Sequence, residues 1–171
     1  MEYKCFETER LIIRPTIEED AEFVLELLNS PKWIEYIGDR EVRTLDAAKA
    51  YIQERMISQL KRLGFSNYTL IRKSDNHKIG ACGLYDRPGF EGVDIGFALL
   101  PAYERKGYAY EAANRIKQAA FEDFKFEKIS GITSKRNLAS QKLLEKLGLV
   151  FVRESIFPEG EEEIFVYEIT R

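Results

Sequence analysis

The chain has 171 residues, of which 44% are hydrophobic and 32% are charged, and its formal net charge is −3. This length suits one domain with a sizeable core, and the composition excludes an intrinsically disordered chain. The acidic balance argues against nucleic acid as a partner, and no run of about 18 apolar residues is present to span a membrane. The N-terminal segment lacks the apolar core of a signal peptide, so we expect one cytoplasmic domain over residues 1–171.

The first part of the chain is predicted as a strand followed by two helices. Residues 9–15 form the strand, and Thr16 is a plausible N-cap for a helix with acidic residues in its first turn. This helix ends near Leu28, where Asn-Ser-Pro interrupts it. A second helix is predicted after Thr44 and ends near Leu63, where a glycine follows.

The rest of the chain alternates strands and helices, with a hairpin at each end. The predicted strands are residues 65–72, 78–85, 93–100, 128–133, 149–157 and 164–169, and the predicted helices are residues 109–124 and 137–147. The strand–helix–strand unit over residues 93–133 predicts a parallel, right-handed crossover, whereas the hairpins are antiparallel. The fold class is therefore a mixed α/β fold. It has seven mostly antiparallel strands with one parallel pair and helices on both faces.

The two cysteines and the single histidine are not clustered. Cys5 and Cys82 both lie in segments predicted as strands, and His77 lies in an Asp-Asn-His-Lys turn. We expect two buried, reduced thiols rather than a disulfide. No metal site is expected from this pattern.

The most informative segment is the turn E-R-K-G-Y-A, residues 104–109, which lies between a strand and a long helix. A helix N-terminus carries unpaired backbone N–H groups and partial positive charge, which bind phosphate. Gly107 permits a close backbone approach, and Arg105 and Lys106 add two cations. An exposed basic turn with no ligand is an equally acceptable interpretation of these residues alone. Neither a Walker A motif nor a G-x-G-x-x-G motif is present.

The strand before this turn has one bulky face and one small face. Asp94, Gly96 and Ala98 alternate with larger apolar residues, which leaves room for a ligand beside the turn. Alternatively, Gly96 and Ala98 only pack under a helix, which would leave Asp94 as a charge on a covered face. Further along, Asn137, Ser140 and Leu144 share one side of a helix, and Asn137 is also a normal N-cap.

Three segments in this order resemble the GNAT superfamily of acetyl-CoA-dependent N-acetyltransferases, above all its ribosomal-protein N-terminal acetyltransferase branch. They are E-T-E-R-L-I-I-R-P near the N-terminus, I-G-F-A-L-L-P-A-Y-E-R-K-G-Y-A-Y-E-A, and N-L-A-S-Q-K-L-L-E-K-L-G-L. The resemblance covers nearly the whole chain. It implies a GNAT-like fold with acetyl-CoA as the co-substrate and no metal.

The resemblance also implies roles for particular residues. The family binds the coenzyme A pyrophosphate on backbone amides of the turn, binds the pantetheine arm on the preceding strand, and contacts coenzyme A with the motif's asparagine. These positions are here Arg105, Lys106, Gly107, Tyr108 and Ala109 for the pyrophosphate, Leu99 and Leu100 for pantetheine, and Asn137 for the asparagine.

The implied catalytic residues are Asp94 and Ser140. Asp94 occupies the position at which the family often has a glutamate that activates the amine, directly or through water. The family's frequent acid, a tyrosine, is replaced by Leu144, so Ser140 is the best remaining acid or water-positioning group. Glu104 is a second departure, because a carboxylate near phosphates is unfavourable unless it points away and pairs with a base.

The implied acceptor is a primary amine, either a protein N-terminus or a small molecule. Trp33, Tyr36 and residues 86–92 would shape its pocket, although such aromatics more often belong to a core. The expected state is a monomer or homodimer. Two alternatives differ in class: a non-catalytic acyl-CoA-binding or sensing module, and a covalent acyltransferase with Cys82 as the nucleophile. The second ranks last, because no base lies near Cys82 in the sequence.

Overall fold

The computed structural model describes residues 2–157 and 160–171. Its strands are β1 Phe6–Glu7, β2 Leu11–Pro15, β3 Asn67–Arg72, β4 Lys78–Asp86, β5 Val93–Leu99, β6 Lys128–Ser134, β7 Val150–Ile156 and β8 Glu163–Thr170. Its α-helices are α1 Ala21–Leu28, α2 Pro31–Tyr36, α3 Leu45–Tyr51, α4 Ser58–Leu63, α5 Tyr108–Glu122 and α6 Leu138–Lys146, and a π-helical segment, Ile52–Ile57, joins α3 to α4.

The strands form one eight-stranded sheet in the order β1-β2-β3-β4-β5-β6-β8-β7. Among the described strands, only β5 and β6 pair in parallel, as the crossover predicted, and both predicted hairpins are antiparallel. The predicted count of seven strands was one too few. The extra strand is β1, whose two residues pair with Ile12 and Ile13 and are too short for an alternating pattern to reveal.

Helices cover both faces of the sheet, as predicted. One core lies between the sheet and helices α5 and α6, and includes Ile95, Ile116 and Leu144. The other core packs α1 and α3 against the opposite face, near Ala81. Ala81 and Cys82, which are adjacent on β4, thus belong to different cores, which is the pattern of a sheet buried on both sides.

Two local predictions were wrong. Thr16 is not an N-cap; a 3₁₀ turn, Glu18–Asp20, precedes α1, and Asp20 accepts a hydrogen bond from the Ile17 N–H at 3.0 Å. Cys5 lies outside the strands and is exposed, whereas Cys82 is buried, and both thiols are free. Within the described ranges, no helix is long and apolar enough to cross a membrane.

Candidate active site

The sheet opens between β5 and β6. These strands pair only at Asp94–Ser130 and Ile95–Gly131, so they diverge after Ile95. A cleft of about 580 Å³ runs through this region, and residues from both sheet faces line it. Asp94 lines it from β5, and Asn137, Ser140 and Leu144 line it from the side of α6. The structure therefore brings the two predicted catalytic residues to one cleft.

The predicted phosphate-binding turn lies directly after β5. Gly107 has a φ of +84° and is the N-cap of α5, and Arg105 also has a positive φ, +60°. Left-handed backbone is costly for a side chain such as arginine, so the turn holds a strained geometry there. Among the described residues, the backbone N–H groups of residues 105–110 have no hydrogen-bond acceptor. This run of free donors at a helix N-terminus is suited to an anion.

Glu104, the residue that departs from the family pattern, is paired. Its carboxylate lies 2.7 Å from the ammonium of Lys32 on α2. From the sequence, a carboxylate was acceptable at position 104 only if it paired with a base, and Lys32 is such a base. The turn therefore keeps its cationic side chains, Arg105 and Lys106, without an unpaired acid beside them.

The two residues predicted to bind the pantetheine arm differ in what their backbones can offer. Leu100 donates its N–H to the Ile79 carbonyl at 2.9 Å and accepts from the Tyr103 N–H, so both of its backbone groups are occupied. Alternate residues of an antiparallel strand face opposite edges, so the N–H and C=O of Phe97 and Leu99 face the opening instead. The opening is thus faced by the backbone of Leu99, which was predicted to bind pantetheine, and by that of Phe97, which was not predicted, whereas the backbone groups of Leu100 are occupied.

Asp94 is the buried charge of the site. It is only 1% exposed, and its Oδ1 lies 2.7 Å from Nε of Arg87, which belongs to the loop after β4. Burial raises the pKa of the Asp94 carboxyl, and the Arg87 guanidinium opposes this shift. A carboxylate with a raised pKa is a stronger base than an exposed one. The sequence indicated that Asp94 would be an unfavourable charge on a covered face. Arg87, which was not predicted as its partner, compensates this charge.

Tyr85 fills the small face of β5 at Gly96. A Cβ atom at Gly96 would lie 2.8 Å from Cε2 of Tyr85, so the missing side chain makes room for this ring. The Tyr85 hydroxyl donates to Oδ1 of Asn67, whose amide donates to Thr16 Oγ1 at 2.8 Å. Thr69 continues the network from Thr16 to the buried Asp20. The tyrosine that walls the cleft is therefore held by side chains on β3 and before α1.

The α6 side of the cleft supplies polar groups. Asn137 is the N-cap, since its Oδ1 accepts from the Ser140 N–H at 3.2 Å. The Asn137 amide nitrogen and the Ser140 hydroxyl have no partner among the described residues, so both can bind a ligand. Leu144 is buried and packs against Gly131 of β6, where an added Cβ would lie 2.5 Å from its Cδ2. The leucine that replaces the family's tyrosine is thus a packing residue.

The predicted acceptor region also lines this cleft. Trp33, Tyr36 and residues of the 86–92 loop all line it, so these aromatics border a pocket rather than only a core. The side-chain nitrogens Nε1 of Trp33 and Nε of Arg40 are buried donors with no acceptor among the described residues. Cys82, by contrast, is buried and its thiol pKa is raised to about 12 by burial, which disfavours a thiolate nucleophile.

Comparison with known proteins assigns the family. Residues 10–150 match the acetyltransferase (GNAT) domain. The chain belongs to the GNAT acetyltransferase family. It is therefore an acyltransferase, and the family's donor is acetyl-CoA. Within the described ranges, no group of three or more His, Cys, Asp or Glu residues is placed to hold a metal ion.

The named relatives agree with this assignment. The uncharacterized N-acetyltransferase YnaD of Bacillus subtilis is 28% identical over 159 residues, which are 91% of this chain and 89% of YnaD. YjdG of the same organism, also named an uncharacterized N-acetyltransferase, is 31% identical over 106 residues, which are 61% of this chain and 63% of YjdG. The match to YjdG thus spans slightly less than two thirds of that relative.

Solved structures share the fold. RimL, described as a ribosomal L7/L12 alpha-N-protein acetyltransferase in complex with coenzyme A, superposes with a TM-score of 0.83 and 13% identity, and the match covers 98% of each chain. An acetyltransferase from Agrobacterium tumefaciens has a TM-score of 0.83 and 22% identity over 100% of this chain and 96% of the other. At these identities, the similarity establishes the fold and leaves the acceptor open.

Proposed function

We propose that the protein transfers the acetyl group of acetyl-CoA to a primary amine, by direct attack while both substrates occupy the cleft. The observation that carries this proposal is the run of free N–H groups at residues 105–110, next to an opening in the sheet that leads to a buried carboxylate. The turn would bind the pyrophosphate through the amides of Arg105, Lys106, Gly107, Tyr108 and Ala109.

The acyl arm of the donor would lie in the opening between β5 and β6. The free backbone groups of Leu99 and Phe97 face this opening, and Asn137, whose amide nitrogen is unbonded among the described residues, lines the cleft from the α6 side. An N–H group aimed at the thioester oxygen would stabilise the negative charge that develops there, and removal of one such donor typically costs about 10²-fold or more in turnover. We assign this role to the Phe97 N–H.

Asp94 would act as the general base. An ammonium acceptor gives one proton to the Asp94 carboxylate, directly or through water, and the neutral amine then attacks the thioester carbonyl. When the tetrahedral intermediate collapses, the carbon–sulfur bond breaks and the amine nitrogen loses its second proton. Ser140, or water that it orders, would relay this second proton to the coenzyme A sulfur, and Asp94 would release the first proton to solvent. The products are an amide and free coenzyme A.

The acceptor remains a primary amine of either class, a protein N-terminus or a small molecule. The cleft carries aromatic walls, Trp33 and Tyr36, beside charged side chains such as Arg40 and Arg87. The aromatic rings can attract the acceptor's ammonium group, and the guanidinium donors can bind oxygen atoms near it. The relatives named as N-acetyltransferases favour an enzyme over a non-catalytic acyl-CoA-binding module.

A thiol-release assay with acetyl-CoA and a panel of amines tests the proposal. The panel should contain peptides with different N-termini, polyamines, aminoglycosides and amino acids, and calorimetry should measure acetyl-CoA binding in parallel. We expect acceptor-stimulated release of coenzyme A with at least one class. Tight acetyl-CoA binding without release by any acceptor would favour the binding module, and no acetyl-CoA binding would refute the proposal.

A further inference from the structure

Arg10 connects the N-terminal segment to the phosphate-binding turn. It belongs to the E-T-E-R motif, to which sequence reasoning gave no role beyond the family likeness. Its Nη1 donates to the Lys106 carbonyl at 2.9 Å, and its Nε donates to Oε1 of Glu111 at 2.8 Å. Its guanidinium carbon lies 4.1 Å from the centre of the Tyr108 ring. One side chain thus contacts the turn, the first residue of α5 and the helix's first turn.

Glu111 anchors this arginine. Besides Nε, its carboxylate accepts hydrogen bonds from the Arg10 backbone N–H at 3.0 Å and from the Thr8 hydroxyl. Burial raises the pKa of Glu111, but the hydrogen bonds from Thr8 and Arg10 outweigh it, so the pKa is lowered and the group is ionised at neutral pH. Because Glu111 binds three donors, its charge is compensated next to a site that must accept phosphate.

Because a peptide group is planar, the contact of Arg10 with the Lys106 carbonyl also fixes the direction of the Gly107 N–H. In a trans peptide, the C=O of one residue and the N–H of the next point in opposite directions. The Lys106 carbonyl points to Arg10, so the Gly107 N–H points to the other side, among the free amides of residues 105–110. Arg10 also lies close to Gly107 on the side to which a side chain would project, since its Nη2 lies 3.3 Å from the position of an added Cβ.

We propose that Arg10 is a positioning residue for the donor: it holds the Lys106–Gly107 peptide so that the Gly107 N–H faces the coenzyme A pyrophosphate. This inference rests on the proposed function, because it requires the pyrophosphate to occupy the turn. It goes beyond that function by giving Arg10, with Thr8 and Glu111, a role in donor affinity without contact to the donor.

Two variants separate positioning from simple attraction between charges. Arg10→Lys keeps the positive charge and loses the planar fork that reaches both Glu111 and Lys106. Glu111→Ala removes the anchor and makes the region more positive by one charge. Positioning predicts weaker acetyl-CoA binding in both variants. Attraction alone predicts unchanged binding for the first variant and tighter binding for the second.

The test measures acetyl-CoA affinity by calorimetry, and kcat/KM with acetyl-CoA and with S-acetyl-pantetheine, which lacks the pyrophosphate. We expect the dissociation constant of acetyl-CoA to rise about tenfold in each variant, the scale of one charge-assisted hydrogen bond. The ratio of kcat/KM for acetyl-CoA to that for the short donor should fall by about the same factor. Arg153→Lys is the matched control, because this arginine lies on β7 at the edge of the sheet, where it forms an ion pair with Glu168 of β8.

Three results would overturn the inference. They are unchanged or tighter acetyl-CoA binding by Glu111→Ala, unchanged binding by Arg10→Lys, and an equal loss with both donors, which would indicate a general structural effect. Thermal melts identify a variant that fails to fold, and the other variant then decides. If the unaltered protein itself does not bind acetyl-CoA, the proposed function fails as well. If it binds and the variants bind equally well, only the role of Arg10 fails.

Discussion

The ion pair between Arg87 and Asp94 allows a quantitative prediction for Arg87→Met. The variant leaves Asp94 buried, at 1% exposure, without the guanidinium that now lies 2.7 Å away. Breaking a fully buried pair costs about 3–5 kcal/mol, and the Arg87 side chain is 29% exposed, so we expect about 2–3 kcal/mol at pH 7. At about 1.4 kcal/mol per pKa unit, this loss corresponds to a further rise of up to about two units in the Asp94 pKa.

The sign of the pH dependence follows from this rise. The folded-state pKa of Asp94 is already above its unfolded value, and Arg87→Met raises it further. The variant's deficit in unfolding free energy should therefore be small below the unfolded-state pKa of about 4, where Asp94 is protonated in both proteins. The deficit should grow as the pH rises from the folded-state pKa of the unaltered protein to that of the variant. In activity, the low-pH limb of kcat/KM should move to higher pH, because the base must be deprotonated.

Urea denaturation at pH 5 and pH 8, together with the pH–rate profile, measures both effects. Arg62→Met is the matched control, because Arg62 forms an exposed ion pair with Asp86 and should cost less than about 1 kcal/mol. A second control is Arg87→Met in an Asp94→Asn background, where the pH-dependent deficit should vanish. An equal deficit at both pH values, with an unmoved rate profile, would refute the reasoning.

Three further variants test other parts of the site. Gly107→Val should abolish acetyl-CoA binding measured by calorimetry, because a β-branched residue cannot adopt φ +84° without strain; unchanged affinity would exclude the turn as the pyrophosphate site. Asp20→Asn should cost about 2–3 kcal/mol of unfolding free energy at pH 7, because the ion pairs with Arg14 and Lys78 outweigh the effect of burial and hold the Asp20 pKa at about 2. The difference in stability from the unaltered protein should disappear as the pH falls from 4 through 2. A difference that does not change with pH would contradict this prediction. Ser140→Ala should lower turnover about tenfold or more with intact acetyl-CoA affinity; a lower melting temperature with intact turnover would make Ser140 a helix residue only.

The sequence predicted the elements whose local signals were strong. Alternation and turn residues located the hairpins, and the small-residue spacing of α5 located the crossover helix. The prediction for Thr16 failed because its hydroxyl bonds Thr69 on a neighbouring strand, a partner distant in sequence. The π-helical segment Ile52–Ile57 was also missed, since no local pattern distinguishes it from the α-helices on either side.

The candidate site shows the same difference between local sequence signals and contacts of residues that are distant in sequence. Motif order placed Asp94, Gly107 and Ser140, and the structure brings Asp94 and Ser140 together because β5 and β6 separate after Ile95. The contacts of Arg87, Tyr85 and Arg10 were not predicted, because the fold creates each of them; Arg87 entered the prediction only as part of the 86–92 acceptor loop. Arg10 meets Glu111, which is 101 residues away. The sequence placed Asp94 on a covered face, and a buried charge requires a partner. An arginine in the preceding loop, Arg87, could therefore have been predicted as that partner.

The most direct test of the central claim compares the unaltered protein with Asp94→Asn in acceptor-dependent release of coenzyme A from acetyl-CoA. The account predicts that at least one amine stimulates release, and that Asp94→Asn lowers turnover by about 10²-fold or more while calorimetry gives the same acetyl-CoA affinity. Equal turnover by the two proteins from pH 6 to 9 would remove Asp94 from the reaction. Acetyl-CoA binding without release by any amine would contradict acetyl transfer itself.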